Sequence, residues 1–490
     1  MPSFVEKSGS ALAKRLAARN AAGEHSRRRA LTFTRRQILR NGSAAAIAFA
    51  ALGCGQAAHS SSANAGFPLV PDPAGLLDLP RGFSYRLFPT AGSNMSDGFL
   101  RPGHFDGMAC FAHPTDASKL VLVRNHEKFL SITDGGPFGE GHALLGRLPR
   151  GKLYDTTASG APCIGGTTNV IVDAATGAFE RDHLSLVGTI GNCAGGASPW
   201  GSWISCEEQQ LKAGEGVNKD HGYVFEVPAA VTGVVDPVPL KAMGRFGHEA
   251  VSFDPDDGSV YQTEDNYQGL FYRFIPTTPG RLADGGRLQA LAIEGWEKAD
   301  TRNFAADWGL PTARTIAPGQ PFKVRWVDLE DVEAQEELLR VRGQAAGAAI
   351  FCRGEGMAYG RDEAGVGHHY FNCTEGGRHR LGQVWRYTPS TSELMLIYES
   401  TDADRLDLCD NLAMTAWGDL LICEDGWGDQ YLRLLTPAGE IRDFARNAHE
   451  GKFEFCGACF SPDGRIMFVN VQQPGHTYAI TGPWESLRGG

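Results

Sequence analysis

One pattern recurs six times along this chain and limits its fold more than any other feature: a polar or acidic residue, a strand-like run of small apolar residues, a Pro/Asp/Gly turn, a second apolar run, then acids. The copies run from Asp106 to Glu127, Asn192 to Glu208, His248 to Asp265, Glu355 to Glu375, Asp410 to Asp425 and Cys456 to Gln472. A third segment of alternating aromatics follows most of them, as in Gly222 to Pro228, Gly269 to Pro276, Gly382 to Pro389 and Gln430 to Pro437, with Thr167 to Val172 and Thr477 to Ile480 supplying the others. Period-two alternation between turn residues is a strand signal. A small sheet cannot cover its own faces, and packing such sheets radially does. The expected fold is therefore all-β: a six-bladed β-propeller over residues 66–490, with a metal site at one mouth of its central channel. Gly82 to Pro89 resembles the third segment and is expected to complete the last blade. The longest stretch between copies, about 278–348, is expected to carry a surface helix from Asp328 to Arg342.

In a strand-turn-strand unit the start of the first strand and the end of the second lie at the same end of the sheet. Asp106, Glu127, Glu207, Glu208, Glu249, Glu264, Asp265, Glu355, Asp410, Glu424 and Asp425 are therefore expected to crowd one mouth. Like charges so close repel and raise one another's pKa values. Hard cations with oxygen ligands resolve the conflict, Ca²⁺ most naturally. Cys193 and His248 are softer donors at equivalent strand starts. A thiolate among carboxylates points to iron or zinc beside calcium; a buried thiol, or a disulfide with Cys206, is the alternative for Cys193. His248 reads as a structural histidine. Arg353, two residues before Glu355, enters the same mouth as a fork-shaped donor, suited equally to a phosphate and to a neighbouring carboxylate.

Residues 1–65 form a basic leader with Thr34-Arg35-Arg36-Gln37-Ile38-Leu39 and a weakly apolar stretch from Ala44 to Leu52, the layout of a twin-arginine export signal. Ala63-Asn64-Ala65 fits a signal peptidase site. Ala51-Leu52-Gly53-Cys54 is an imperfect lipoprotein box whose use would leave a lipid anchor on Cys54. The expected location is the periplasm or the medium, reached through the twin-arginine translocation machinery. The leader holds ten Lys/Arg and two Asp/Glu, so the remainder carries 36 basic and 55 acidic residues, a net charge near −19 against −11 for the whole chain. That surface excludes nucleic acid as a partner, although bound cations can reverse the local sign for an anionic substrate. Ten cysteines follow Cys54; they sit within apolar strand-like runs, so few disulfides are expected. No Gly-x-Ser-x-Gly elbow, Walker loop or His-Glu-x-x-His is present.

Over nearly the whole chain after the leader, the residues resemble the PhoX-type alkaline phosphatases. The resemblance rests on Asn125-His126-Glu127, the long run from Asn192 to Glu208, Gly244 to Glu249, Thr263-Glu264-Asp265, Arg353 to Met357, Gly457 to Gly464 and Gln473 to Trp484. It implies a propeller that hydrolyses small phosphate monoesters with a mixed Fe³⁺ and Ca²⁺ cluster, two irons being bridged by one cysteine. Cys193 matches that cysteine. Glu127, one or both of Glu207 and Glu208, Glu249 and Glu355 match metal ligands, and Arg353 matches the phosphate-binding arginine; Glu264, Asp265, Asp410, Glu424 and Asp425 match less closely. Gly354 stands where the family commonly has Pro. The implied enzyme is an exported phosphoric monoester hydrolase, expected to be a monomer. Rival readings are a calcium-dependent lactonase or phosphotriesterase, whose chemistry would not need Cys193, and a non-enzymatic periplasmic propeller scaffold.

Overall fold

The computed structural model describes residues 67–304 and 314–487. The twin-arginine motif, the apolar stretch, Cys54 and the two cleavage signals of the leader lie outside the described residues.

Each repeat copy folds as an antiparallel pair. Phe105–Ala112 pairs with Lys119–His126, Asn192–Ala197 with Ser202–Glu207, and His248–Phe253 with Val260–Glu264. Gly354–Arg361 pairs with Gly367–Cys373, Cys409–Met414 with Leu420–Glu424, and Phe455–Phe460 with Met467–Val471. The alternating-aromatic segments add a third strand to every pair, for example Phe271–Pro276 and Gln383–Thr388. Ser84–Leu87 is the fourth strand on His476–Thr481, so the amino-terminal segment completes the last sheet. The six first strands neighbour one another in a closed cycle, the last touching the first. The arrangement is all-β and propeller-like.

The third-strand aromatics fill the space between neighbouring sheets. Phe271 stacks on Phe371 with ring centroids 4.3 Å apart, and both lie in a buried cluster with Tyr261, Trp385 and Tyr387. Offset and edge contacts of this kind add to the area that the rings bury. The aromatic signature read from the sequence is thus the glue between sheets.

The surface helix expected from Asp328 to Arg342 is corrected by the structure. Pro321–Leu329 is a strand that pairs with Gly286–Ile293 along most of its length and with the start of Glu393–Glu399 through Pro321–Lys323, joining two sheets into one of nine strands. At its start, buried Phe322 and Val324 alternate in the strand sense with exposed Pro321 and Lys323. The following loop is held by Arg245, which donates to the carbonyls of Glu333 (2.6 Å) and Ala334 (2.8 Å). Only Leu339–Ala345 is helical.

Every first strand carries a register shift near its start. Two residues of the first strand oppose one of the second at Asp106-Gly107 against Asn125, Cys193-Ala194 against Cys206, and Glu249-Ala250 against Thr263. The same occurs at Glu355-Gly356 against Asn372 and Asp410-Asn411 against Cys423; in the sixth copy it falls one residue later, at Gly457-Ala458. A bulge bends its strand and re-aims a side chain. The second bulge residue packs on the next first strand: a Cβ on Gly107 would lie 2.6 Å from Ala194 Cα and 2.8 Å from Cys193 O, and one on Gly356 2.5 Å from Asp410 O. These are backbone atoms that cannot turn aside. Gly107→Ala is therefore expected to destabilise the protein by about 1–3 kcal/mol, read as a lower thermal unfolding midpoint; an unchanged midpoint would show that the first strands are not in tight contact.

Candidate metal centre

The bulges bring the first-strand acids and one thiol together with acids from the ends of the second strands. Three groups of donors result, each with its ligand atoms within 4.8 Å of one another: Asp106, Glu127 and Cys193; Cys193, Glu208 and Glu249; Glu249, Glu355 and Asp410. Cys193 belongs to the first two groups and Glu249 to the last two. The donors therefore form a continuous row, with a thiol and a carboxylate at the shared positions.

The environment is costly for these groups on their own. Burial first, then neighbouring carboxylates, raises the carboxyls of Asp106, Glu127, Glu208, Glu249 and Glu355 well above their ordinary range. Burial and then Asp425 hold Asp410 up at about 8. Burial, then Asp106, likewise raises the Cys193 thiol. Both carboxylate oxygens of Glu249 and Oδ1 of Asp106 are buried with no hydrogen-bond partner. Buried polar atoms are nearly always paired, so these orphans, aimed into a row of oxygen and sulfur donors, fit bound cations.

Arg353 stands at the edge of the row. Its Nε and Nη2 hold Asp265 bidentately at 2.9 and 3.0 Å, and Nη2 also donates to Glu355 at 2.7 Å. Nη1 approaches Glu375 Oε1 at 3.8 Å, beyond hydrogen-bond distance. Its backbone lies in the left-handed region, φ 51°, a conformation that non-glycine residues adopt at a cost and that recurs at functional sites. Asp265 lies against both Arg353 and Glu208.

The structure places three expected ligands elsewhere. Glu207, Glu264 and Glu424 are each the last residue of a second strand, so their side chains leave the face that carries the residue after them. Glu207 accepts from the backbone N–H groups of Ile190, Gly222 and Tyr223 and meets His221 Nδ1 at 2.6 Å. Glu264 accepts from Leu270 N, Tyr272 Oη and Arg340, and Glu424 from Asp407 N, Tyr431 N and Arg433. These saturated carboxylates tie down the turn leading to each third strand. Of the pair left open by the sequence, Glu208 joins the row. His248 stacks on Phe246 at 3.6 Å and meets Gly244 O at 3.0 Å, a structural histidine as expected. The ten described cysteines are all free thiols, and Cys206 is buried in a different cluster from Cys193's partners.

Three contributors were absent from the expected ligand set. Asp106 was visible among the mouth acids. Glu454, just before the sixth first strand, is half-buried, and its carboxyl is raised by desolvation and by Asp425; no repeat position announces it. Gln472 replaces the acid of the other copies and donates to Glu127 at 2.7 Å.

A family model described as Alkaline phosphatase PhoX matches residues 65–144 and 165–475. Among solved structures, PhoX of Pseudomonas fluorescens, in complex with the transition-state analogue vanadate, matches with a TM-score of 0.61 and 18% identity over 85% of this chain and 98% of that chain. A gluconolactonase of Xanthomonas campestris matches with a TM-score of 0.38 and 12% identity over 85% and 98% of the two chains. No curated protein matches by sequence.

The raised carboxyls imply a pH dependence of opposite sign to ordinary acid denaturation. An acid whose folded pKa is raised binds more protons folded than unfolded, so its contribution falls as pH rises from the unfolded value, about 4, through the folded one, about 8 for Asp410. Chelator-treated protein should therefore show a falling thermal midpoint between about pH 5 and pH 8, with Ca²⁺ restoring more at the alkaline end. A midpoint that rises across this range in the chelated protein would contradict the clustering.

Proposed function

This chain belongs to the alkaline phosphatase PhoX family, a family of metal-dependent phosphoryl-transfer hydrolases, and on that premise we propose that it hydrolyses phosphate monoesters at a cluster of iron and calcium ions. In this reading the fold is a six-bladed propeller. The closed cycle of six first strands supports the count, with Pro321–Leu329 taken as a link between two blades rather than part of either.

The single observation that carries the proposal is the unbroken row of donor groups sharing Cys193 and Glu249. The groups that contain Cys193 mix thiolate and carboxylate, a set suited to iron, whereas Glu249, Glu355 and Asp410 offer oxygen alone and suit calcium. Glu127, Glu208 and Asp106 complete the ligand set. When bound, the cations supply neutralisation and Lewis-acid polarisation of the phosphoryl group.

The chain's own residues do the rest. Asp265 and Glu355 hold the Arg353 guanidinium in one plane, and its Nη1 edge, 3.8 Å from Glu375 and not hydrogen-bonded to it, is the edge that would meet a phosphoryl oxygen. A fixed fork costs no reorganisation as charge develops on the transferring group, which is how such donors lower a barrier. The burial of the surrounding carboxylates keeps the local dielectric low, so the same charge counts for more than it would in water.

The basic leader with Arg35-Arg36 supports export through the twin-arginine route to the periplasm or beyond as part of the same proposal, with Cys54 as the residue a lipid anchor would use. The enzyme is proposed to act as a monomer on small, soluble phosphate monoesters.

Two variants test the reading in exported protein. Arg353→Ala should lower kcat/KM for p-nitrophenyl phosphate at alkaline pH by about 10²–10³-fold with metal content unchanged. Cys193→Ser should lose iron and activity together while keeping calcium. Full activity in Cys193→Ser, or calcium as the only metal with no phosphatase activity in the wild type, would favour the lactonase or scaffold instead.

A further inference from the structure

A second group of unlike donors lies apart from the mouth: Asp155, Cys163 and His221, whose ligand atoms also fall within 4.8 Å of one another. Asp155 and Cys163 come from 145–164, the internal segment that the family model does not match, whereas His221 and Glu207 come from matched sequence. That segment folds back on itself and on the body of the protein. Thr157 N donates to Ala161 O (2.7 Å) and Cys163 N to Asp155 O (3.1 Å), while Tyr154 N and Asp155 N donate to Val187 O and Gly188 O (3.0 and 3.1 Å).

The imidazole of His221 is fully buried. Its Nδ1 lies 2.6 Å from Glu207 Oε1, and that carboxylate also accepts three backbone N–H groups. A carboxylate so placed assigns the proton to Nδ1 and leaves Nε2 as the outward atom, the arrangement by which carboxylates orient metal-binding histidines. Nε2 faces Asp155 Oδ2 at 3.2 Å. In a neutral imidazole this sets a lone pair against a carboxylate. A cation shared by Nε2, Asp155 and Cys163 removes the conflict, and a second proton on the ring is the competing solution. A cavity of about 60 Å³ lies on the Cys163 side of the group, lined by Cys163, Ile190 and Lys128.

We propose that Asp155, Cys163 and His221 form a separate site for a thiophilic divalent cation of the zinc class, oriented by Glu207, that clasps the 145–164 segment to the strand end carrying Glu208. Nitrogen, sulfur and oxygen donors of this number match zinc, with a solvent molecule completing the tetrahedron. Binding forms the metal–sulfur bond and releases the thiol proton to solvent. The site is independent of the phosphatase reading, since none of its three ligands belongs to the row at the mouth.

The test uses chelator-treated full-length protein and added Zn²⁺ or Co²⁺. Zinc should raise the thermal midpoint by about 3 °C or more in the wild type and in Cys193→Ala, and much less in Cys163→Ala and Asp155→Asn. Cobalt should give a thiolate charge-transfer band that survives in Cys193→Ala and is lost when Cys163→Ala is added. Cys163→Ser, nearly isosteric, replaces the alanine variant if that one fails to fold. No zinc-induced rise in the wild type, or an equal rise in Cys163→Ala from a lower starting point, would overturn the site and leave an imidazolium bridging two carboxylates.

Discussion

Four of the six sheets hold the site residue of the next one by its backbone. The residue opposite the bulge donates across to the following first strand: Asn125 Nδ2 to Cys193 O (2.9 Å) and Ala194 O (2.7 Å), Thr263 Oγ1 to Glu355 O (2.6 Å), and Asn372 Nδ2 to Asp410 O. Asn470 Nδ2 donates to Asp106 O at 2.6 Å, so the last sheet grips the first in the same way. These donors and acceptors are buried, and leaving one unpaired costs about 1–3 kcal/mol. The register of Asp106, Cys193, Glu355 and Asp410 is therefore set by a neighbouring sheet, and the row of donors is a property of the closed cycle rather than of any one sheet.

The same repeat position serves two opposed ends. One residue past the second strand, Glu127, Glu208, Asp265 and Asp425 meet the first-strand acids. One residue earlier, Glu207, Glu264 and Glu424 turn away and receive backbone N–H groups and a side-chain nitrogen donor from their own sheet or its loops. The first set lacks donors of its own; the second is satisfied by backbone N–H groups together with His221, Arg340 and Arg433. A two-residue alternation thus separates carboxylates that face the donor row from carboxylates that hold the scaffold.

Arg353 is the point where the two economies of charge meet. It is the guanidinium that reaches the row, it is shared between Asp265 and Glu355, and its third side faces Glu375, which also pairs with Arg380. Its strained backbone persists because Arg353 N is bonded to Asn266 O at 2.7 Å and Thr374 N to Arg353 O at 3.0 Å, pinning it from two sheets. A group fixed from so many directions is preorganised.

The six-copy pattern determined by itself that the chain is built from small antiparallel sheets, each with an aromatic-rich third strand, and that acids gather at one end, because strand period and turn chemistry are local properties. It placed Cys193 among the mouth acids, and the family resemblance picked out Cys193, Glu127, Glu249 and Glu355 among them. It could not tell Glu207 from Glu208, since the bulge that sets which of two adjacent acids faces the mouth leaves no mark on composition. Nor did it reveal that Asp328 and Leu329 end a strand, because the pairing partners that make Pro321–Leu329 a strand lie in two other sheets. Only the tertiary structure joined Asp155 and Cys163 to His221, about 60 residues away, and only closure of the cycle made Cys193 and Glu249 shared donors. Contacts of that range are decided by how sheets pack, which no local window of sequence contains.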